Sequence, residues 1–222
     1  MKWIAGLTVM MLAGCVVIPE GTSRDARILA IGDSILSWNR GAGASVAHVI
    51  EAQLGEEVVD ASVAGAKLRQ GGLRGSLGFS IPDQYREGAW DAVVLTGGGN
   101  DLLGSCRCDR CDAILDRLVQ QDYPELLNRL GDAEVFILGY YGIAGDRPGN
   151  FDSCEDELIE LERRLTRLAA SKPNVHVVQI RTAITGKPEL YDDDRIHPNR
   201  AGSAVIGTLV ARALVANIVP SR

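Results

Sequence analysis

The stretch Arg27-Ile28-Leu29-Ala30-Ile31-Gly32-Asp33-Ser34-Ile35-Leu36 passes from a continuous apolar run straight into a turn of small and polar residues. An apolar run without alternation fits a strand covered on both faces, as in a parallel sheet. The turn that follows is where such a sheet exposes a side chain to a ligand. Further strands are expected at residues 57–63, 91–96, 134–138 and 175–180, with Val93, Val94 and Leu95 continuous in the third. Helical spacing fills the intervals. Residues 45–54 place Val46, Val49, Ile50 and Leu54 on one face, and residues 111–121 do the same with Ile114, Leu115, Leu118 and Val119. A new helix is expected to restart at Asp122 with Pro124 in its first turn and to stop at Gly131. Ser153 and Asp156 read as a capping pair for a helix carrying Leu158, Leu161 and Leu165, and a last helix runs from about Arg200 to Ile218. Strands alternating with helices predict an α/β fold: a doubly wound three-layer sandwich around a mostly parallel five-stranded sheet. Residues 66–88 hold Gly71, Gly72, Gly75 and Gly78 without a sustained period. They are expected to form either a long mobile loop acting as lid or substrate wall, or a surface excursion with a short helix near Pro82.

With 222 residues, 46% of them hydrophobic and 23% charged, the chain suits one globular domain rather than a disordered segment. A formal charge of −6 and no visible basic patch argue against nucleic acid as a partner. Lys2 precedes an apolar stretch from Trp3 to Ala13, too short to span a bilayer, that ends in Leu12-Ala13-Gly14-Cys15. Residues 1–14 therefore read as a signal peptide of bacterial lipoprotein type, with Cys15 as the lipid-bearing first residue, 15–24 as a tether and 25–222 as the domain. The expected location is the bacterial envelope on the periplasmic side. The chain is expected to be a monomer that touches the membrane through its lipid alone.

Three distant stretches complete one another's chemistry. Ser34 follows the first strand and is a candidate nucleophile, inert until a base takes its proton. His197 is the candidate base, with Asp194 three residues earlier to fix its tautomer and stabilise its charged form. Asn100, in Gly98-Gly99-Asn100-Asp101, offers a neutral amide to an oxyanion. Asp33 and Asp101 are expected to orient backbone rather than react. His48 and His176 fall inside periodic elements, and the Asp192-Asp193-Asp194 run lacks the spaced acidic partner of a calcium cage. No metal or organic cofactor is called for.

Gly32-Asp33-Ser34-Ile35-Leu36, Gly65 in Asp60-Ala61-Ser62-Val63-Ala64-Gly65, Gly98-Gly99-Asn100-Asp101 and Asp194-Arg195-Ile196-His197-Pro198 resemble, in order, the four marker blocks of the SGNH or GDSL hydrolases. The resemblance implies a flavodoxin-like sandwich, a serine hydrolase cleaving lipid, acyl or O-acetyl esters, and an oxyanion hole made by the Ser34 and Gly65 amides with Asn100. It leaves the substrate open, a small-molecule or a glycan ester. A non-catalytic envelope protein binding a glycan or partner is the alternative.

In an oxidising compartment Cys106, Cys108, Cys111 and Cys154 are expected to form disulfides. A bridge from Cys106 to Cys108 would close a very tight ring, so the favoured pairings tie Cys154 to the cluster and close the other two locally. Zinc held by the four thiolates is the rival.

Overall fold

The computed structural model describes residues 25–147, 149 and 151–218. The expected signal peptide and the whole of the expected tether, Cys15 included, lie outside them. Five strands form one sheet: β1 (Ile28–Ile31), β2 (Val58–Asp60), β3 (Ala92–Leu95), β4 (Glu134–Leu138) and β5 (Val175–Val178). Their order is β2-β1-β3-β4-β5 and every pairing is parallel. Each residue of β1 and β3 is buried, which explains why these strands read as unbroken apolar runs.

The chain starts at β1 and winds outward in both directions, so right-handed crossovers place helices on both faces. On one face α2 (Val46–Leu54) packs against α7 (Arg200–Asn217), the long closing helix. On the other lie α4 (Asp112–Arg117), α5 (Tyr123–Leu130) and α6 (Glu155–Ala169). Two short helices, α1 (Ser34–Ser37) and α3 (Gly99–Cys106), begin at the carboxyl ends of β1 and β3. Because β1 and β3 are neighbours, the reversal of winding direction opens a crevice between those two helix starts.

Three local expectations need correction. The chain does not break at Asp122: it passes from α4 to α5 through a wide turn at Leu118–Asp122, where the Tyr123 amide reaches back to the Leu118 carbonyl. That five-residue step just ahead of Pro124 lets the helix run on past a residue with no N–H. Ser153 does not cap α6. A short 3₁₀ turn, Asp152–Cys154, leads into the helix, whose first turn instead carries Glu155, Asp156 and Glu157 against the positive end of its dipole. Of the two readings of residues 66–88, the excursion with a short helix near Pro82 is the one found, and the free lid is not. A helix at Ile81–Gln84 contains Pro82, a bridge joins Lys67 to Ser80, and the Gln84 side chain bonds both the amide and the carbonyl of Gly32 at 2.6 and 2.9 Å.

Candidate active site

The turn after β1 is built for close approach. Gly32 has φ +150°, and a Cβ there would fall 2.3 Å from Thr96 Oγ1 and 2.7 Å from the Thr96 carbonyl, so β1 and β3 meet here only because the side chain is missing. Asp33 caps α1 by accepting the Ile35 amide at 3.0 Å. It also accepts the Thr96 hydroxyl at 3.0 Å and the Tyr140 phenol at 2.5 Å. Burial pushes the Asp33 carboxyl up, and these donors push back. Burial, together with the Asp33 charge, drives the Tyr140 phenol well above its usual range, so it stays a donor. The phenol oxygen in turn accepts the Gly99 amide at 3.1 Å, tying the start of α3 to the cap of α1. Ser34 is the residue this framework presents.

The second half comes from the loop between β5 and α7. Asp194 Oδ2 meets His197 Nδ1 at 2.5 Å, while Oδ1 accepts the amides of Ile196 and His197, each at 2.9 Å. Partial burial alone would raise the Asp194 carboxyl, but the three His197 and Ile196 donors outweigh it and hold the group below its usual range. The loop is closed by the Asp192 amide on the His197 carbonyl at 2.8 Å. Tyr141 donates to the Ile196 carbonyl at 2.8 Å.

Between the halves lie the other two marker segments. Gly65 turns with φ +79°, and Asn100 Nδ2 donates to the Ala66 carbonyl at 3.0 Å, leaving its second amide hydrogen for a ligand. Among the described residues no acceptor is bonded to the Ser34 or Gly65 amides. Asp101, the neighbour of Asn100, accepts the Leu68 and Arg69 amides at 2.9 and 3.2 Å and faces Arg117 at 3.4 Å. Both acids thus orient backbone, as expected.

Burial lifts the Asp101 carboxyl from 3.8 to about 6 against the pull of those amides and Arg117. The folded state therefore holds the Asp101 proton more tightly than the unfolded chain, and this group's contribution falls as pH rises from about 4 to about 6. The difference is at most about 3 kcal/mol. Urea midpoints at pH 4 and pH 6.5 should show the loss, and Asp101→Asn should flatten it. An identical pH profile in the variant would refute the assignment.

Ser34, Gly65, Asn100 and His197 all line one cavity of about 340 Å³, with Asp194 behind the imidazole. Its walls are largely apolar and aromatic, including Ile35, Trp38, Tyr140, Tyr141, Phe151 and Leu158, and Arg195, Asp152 and Glu155 add charge. Disulfides Cys106–Cys111 and Cys108–Cys154, with Cα separations of 5.5 and 4.8 Å, follow the favoured pairing pattern and use all four thiols, which removes the zinc alternative. Cys154 precedes the wall residue Glu155, so one bridge fixes the cavity rim.

The family model described as GDSL-like Lipase/Acylhydrolase family matches residues 30–205, a span that runs from the end of β1 into the first turns of α7 and holds every residue of this cavity. The chain belongs to that GDSL-like family. Solved structures agree on the fold. A lipase/acylhydrolase from Enterococcus faecalis is 17% identical with a TM-score of 0.62, covering 89% of this chain and 99% of that one. A protein from Lactobacillus plantarum is 18% identical with a TM-score of 0.67, covering 87% and 98%. A family two carbohydrate esterase from Clostridium thermocellum, solved with cellohexaose, is 18% identical with a TM-score of 0.60, covering 86% of this chain and 64% of that one. No curated protein matched the chain.

The GDSL-like marker residues identified in the sequence all reach the site, but several of the residues that support them went unnoticed. Tyr140 lies two residues past β4, at the strand edge that faces the cavity, and that position was its available signal. Thr96, the first residue past β3, had the same signal, whereas Gln84 carries none, because its bonds to Gly32 span more than fifty residues of chain.

Proposed function

We propose that this GDSL-like hydrolase is a serine esterase that cleaves small carboxylic esters through an acyl-enzyme on Ser34. The observation that supports it best is the Asp194–His197 pair, joined at 2.5 Å, opening on the same cavity as Ser34. In this reading Ser34 Oγ attacks the ester carbonyl carbon while His197 Nε2 takes the hydroxyl proton. Asp194 keeps the other ring nitrogen protonated and faces the imidazolium. The carbonyl oxygen gains negative charge in front of the Ser34 and Gly65 amides and the Asn100 side chain. Collapse breaks the ester C–O bond, and the alcohol leaves with the His197 proton. Water then adds to the acyl carbon as His197 accepts its proton, and release of the acid restores the Ser34 hydroxyl.

A volume of about 340 Å³ lies near the lower end for ligand cavities, which favours short acyl groups over long lipid chains. The lipobox-like Leu12-Ala13-Gly14-Cys15 and the two disulfides support an exported, lipid-anchored protein of the bacterial envelope.

Turnover of p-nitrophenyl acetate by the protein and by Ser34→Ala tests the reading. A loss of about 10³-fold or more is expected. Equal rates would overturn the enzyme and leave a binding protein on the same fold. A p-nitrophenyl ester series, run beside acetylated xylan and peptidoglycan, is expected to favour short acyl chains, and faster cleavage of the palmitate ester would overturn the size argument.

A further inference from the structure

His197 is fixed to its own loop by Asp194, but that bond does nothing to hold the imidazole against Ser34. The register between base and nucleophile has to come from contacts that cross between the two loops. Two adjacent residues just beyond α1 make them. The Trp38 amide donates to the Ser34 carbonyl at 2.9 Å, which locks it to the nucleophile's own backbone. Its indole lies flat on the His197 ring, with centroids 3.7 Å apart and planes 7° apart. Its Nε1–H donates to Asp192 Oδ2 at 2.7 Å, and Asp192 is the residue whose amide closes the loop on the His197 carbonyl. Asn39 grips the other side: its Nδ2 donates to the Pro198 carbonyl at 2.9 Å and to Ser203 Oγ at 3.0 Å. It does so from a left-handed backbone, φ +63°, a conformation that Asn tolerates better than most side chains.

We propose that Trp38 and Asn39 are positioning residues that clasp the His197 loop onto the Ser34 helix, with the indole as the platform on which the imidazole sits while it carries the serine proton. The proposal rests on the serine-esterase reading for its catalytic consequence. The clasp spans the loop, since Asp192 precedes His197 and Pro198 follows it. The face of an indole is also electron-rich, so a stacked imidazolium is favoured over one facing water or an aliphatic wall. None of the four marker segments contains either residue.

Three measurements test it together. Trp38→Leu, which removes the platform, and Asn39→Gly, which keeps the left-handed backbone and removes only the amide, should each lower kcat. Displacing a base by about 1 Å costs on the order of 10²-fold, and that is the loss expected of Trp38→Leu. Trp38→Phe restores a ring and should recover most of it. Asn39 does not line the cavity, so its variant should leave KM nearly unchanged. In NMR spectra of the full protein, the His197 Hε1 signal, assigned with His197→Gln, should lie upfield through the ring current of Trp38. It should stay there in Trp38→Phe and move to an ordinary position in Trp38→Leu. Unchanged kcat in Trp38→Leu and Asn39→Gly, or an unshifted Hε1 in the wild type, would overturn the clasp. Ser34→Ala separates the two ideas: full turnover by that variant fells the esterase reading, while the Hε1 signal still decides the clasp.

Discussion

Replacing Asp194 by Asn is expected to lower kcat for a p-nitrophenyl ester by about 10³–10⁴-fold without unfolding the protein. The carboxylate has two jobs, one on each oxygen, and the substitution separates them. Oδ1 accepts the Ile196 and His197 amides, and an Asn carbonyl oxygen can do the same, so the loop keeps its shape. Oδ2 accepts from His197 Nδ1 at 2.5 Å, and there an Asn presents an NH₂. Nδ1 must then give up its proton to become the acceptor, which leaves the hydrogen on Nε2 and removes the lone pair that would take the Ser34 proton. The negative charge facing the developing imidazolium is lost as well. Because Asp194 is held below its ordinary value of 3.8 by its donors, the wild-type carboxylate stays ionised throughout the neutral range. The loss should therefore fall on kcat rather than KM, with a melting temperature close to that of the wild type. Less than a tenfold drop would mean that His197 does not act through Asp194.

How much of this site can be read without coordinates depends on whether a residue acts through the backbone near it or through a partner far away. Strands were legible because a strand covered on both faces is apolar along most of its length, and the bounds read for Glu134–Leu138 match at both ends. The second strand is shorter than its apolar run. Beyond Asp60 the chain still bonds β1, through the Ala61 and Val63 amides, but bends away to form the Gly65 turn, and Ser62 is held by the buried Arg40 guanidinium at 2.8 Å. Ser34, Gly65, Asn100, Asp194 and His197 were legible because they stand in short local patterns, three in turns beyond β1, β2 and β3 and two in the loop before α7. Trp38 carried a faint signal: it stands four residues after Ser34, one helical turn on. What it stacks on is fixed by a loop near the far end of the chain, and no local pattern encodes that. The same holds for the wide turn before Pro124. Pro124, two residues after Asp122, signals a helix start, but the wide turn carries the helix on into it, and the Asp122 carboxylate is taken by Arg69 and Arg117 at 2.7 and 2.9 Å.

Removing the Cys108–Cys154 bridge is expected to lower the free energy of unfolding by about 3–4 kcal/mol. The size follows from the chain it closes. A crosslink removes freedom from the unfolded state in proportion to the logarithm of the loop, and this one spans 46 residues, from the turn after α3 to the start of α6. Cys106–Cys111 spans only 5, so its loss should cost about 2 kcal/mol. The two bridges also differ in what they hold. Cys154 is fully buried, and Phe151, Asp152, Glu155 and Leu158 on either side of it line the cavity. With Cys108→Ala and Cys154→Ala together, that wall loses its covalent tie and keeps only packing, the Arg181–Glu155 pair at 3.4 Å and its local hydrogen bonds. KM for the ester should rise while kcat, which the proposed function assigns to Ser34, Asp194 and His197, changes less. The Cys106→Ala/Cys111→Ala protein, whose two cysteines and their chain neighbours do not line the cavity, should keep KM near the wild-type value. Urea midpoints for the two double variants, read with KM for one short ester, separate these effects. Equal losses of stability, or peptide mass spectra of the unreduced protein showing Cys154 with a free thiol, would refute the bridge as the tie that holds the rim.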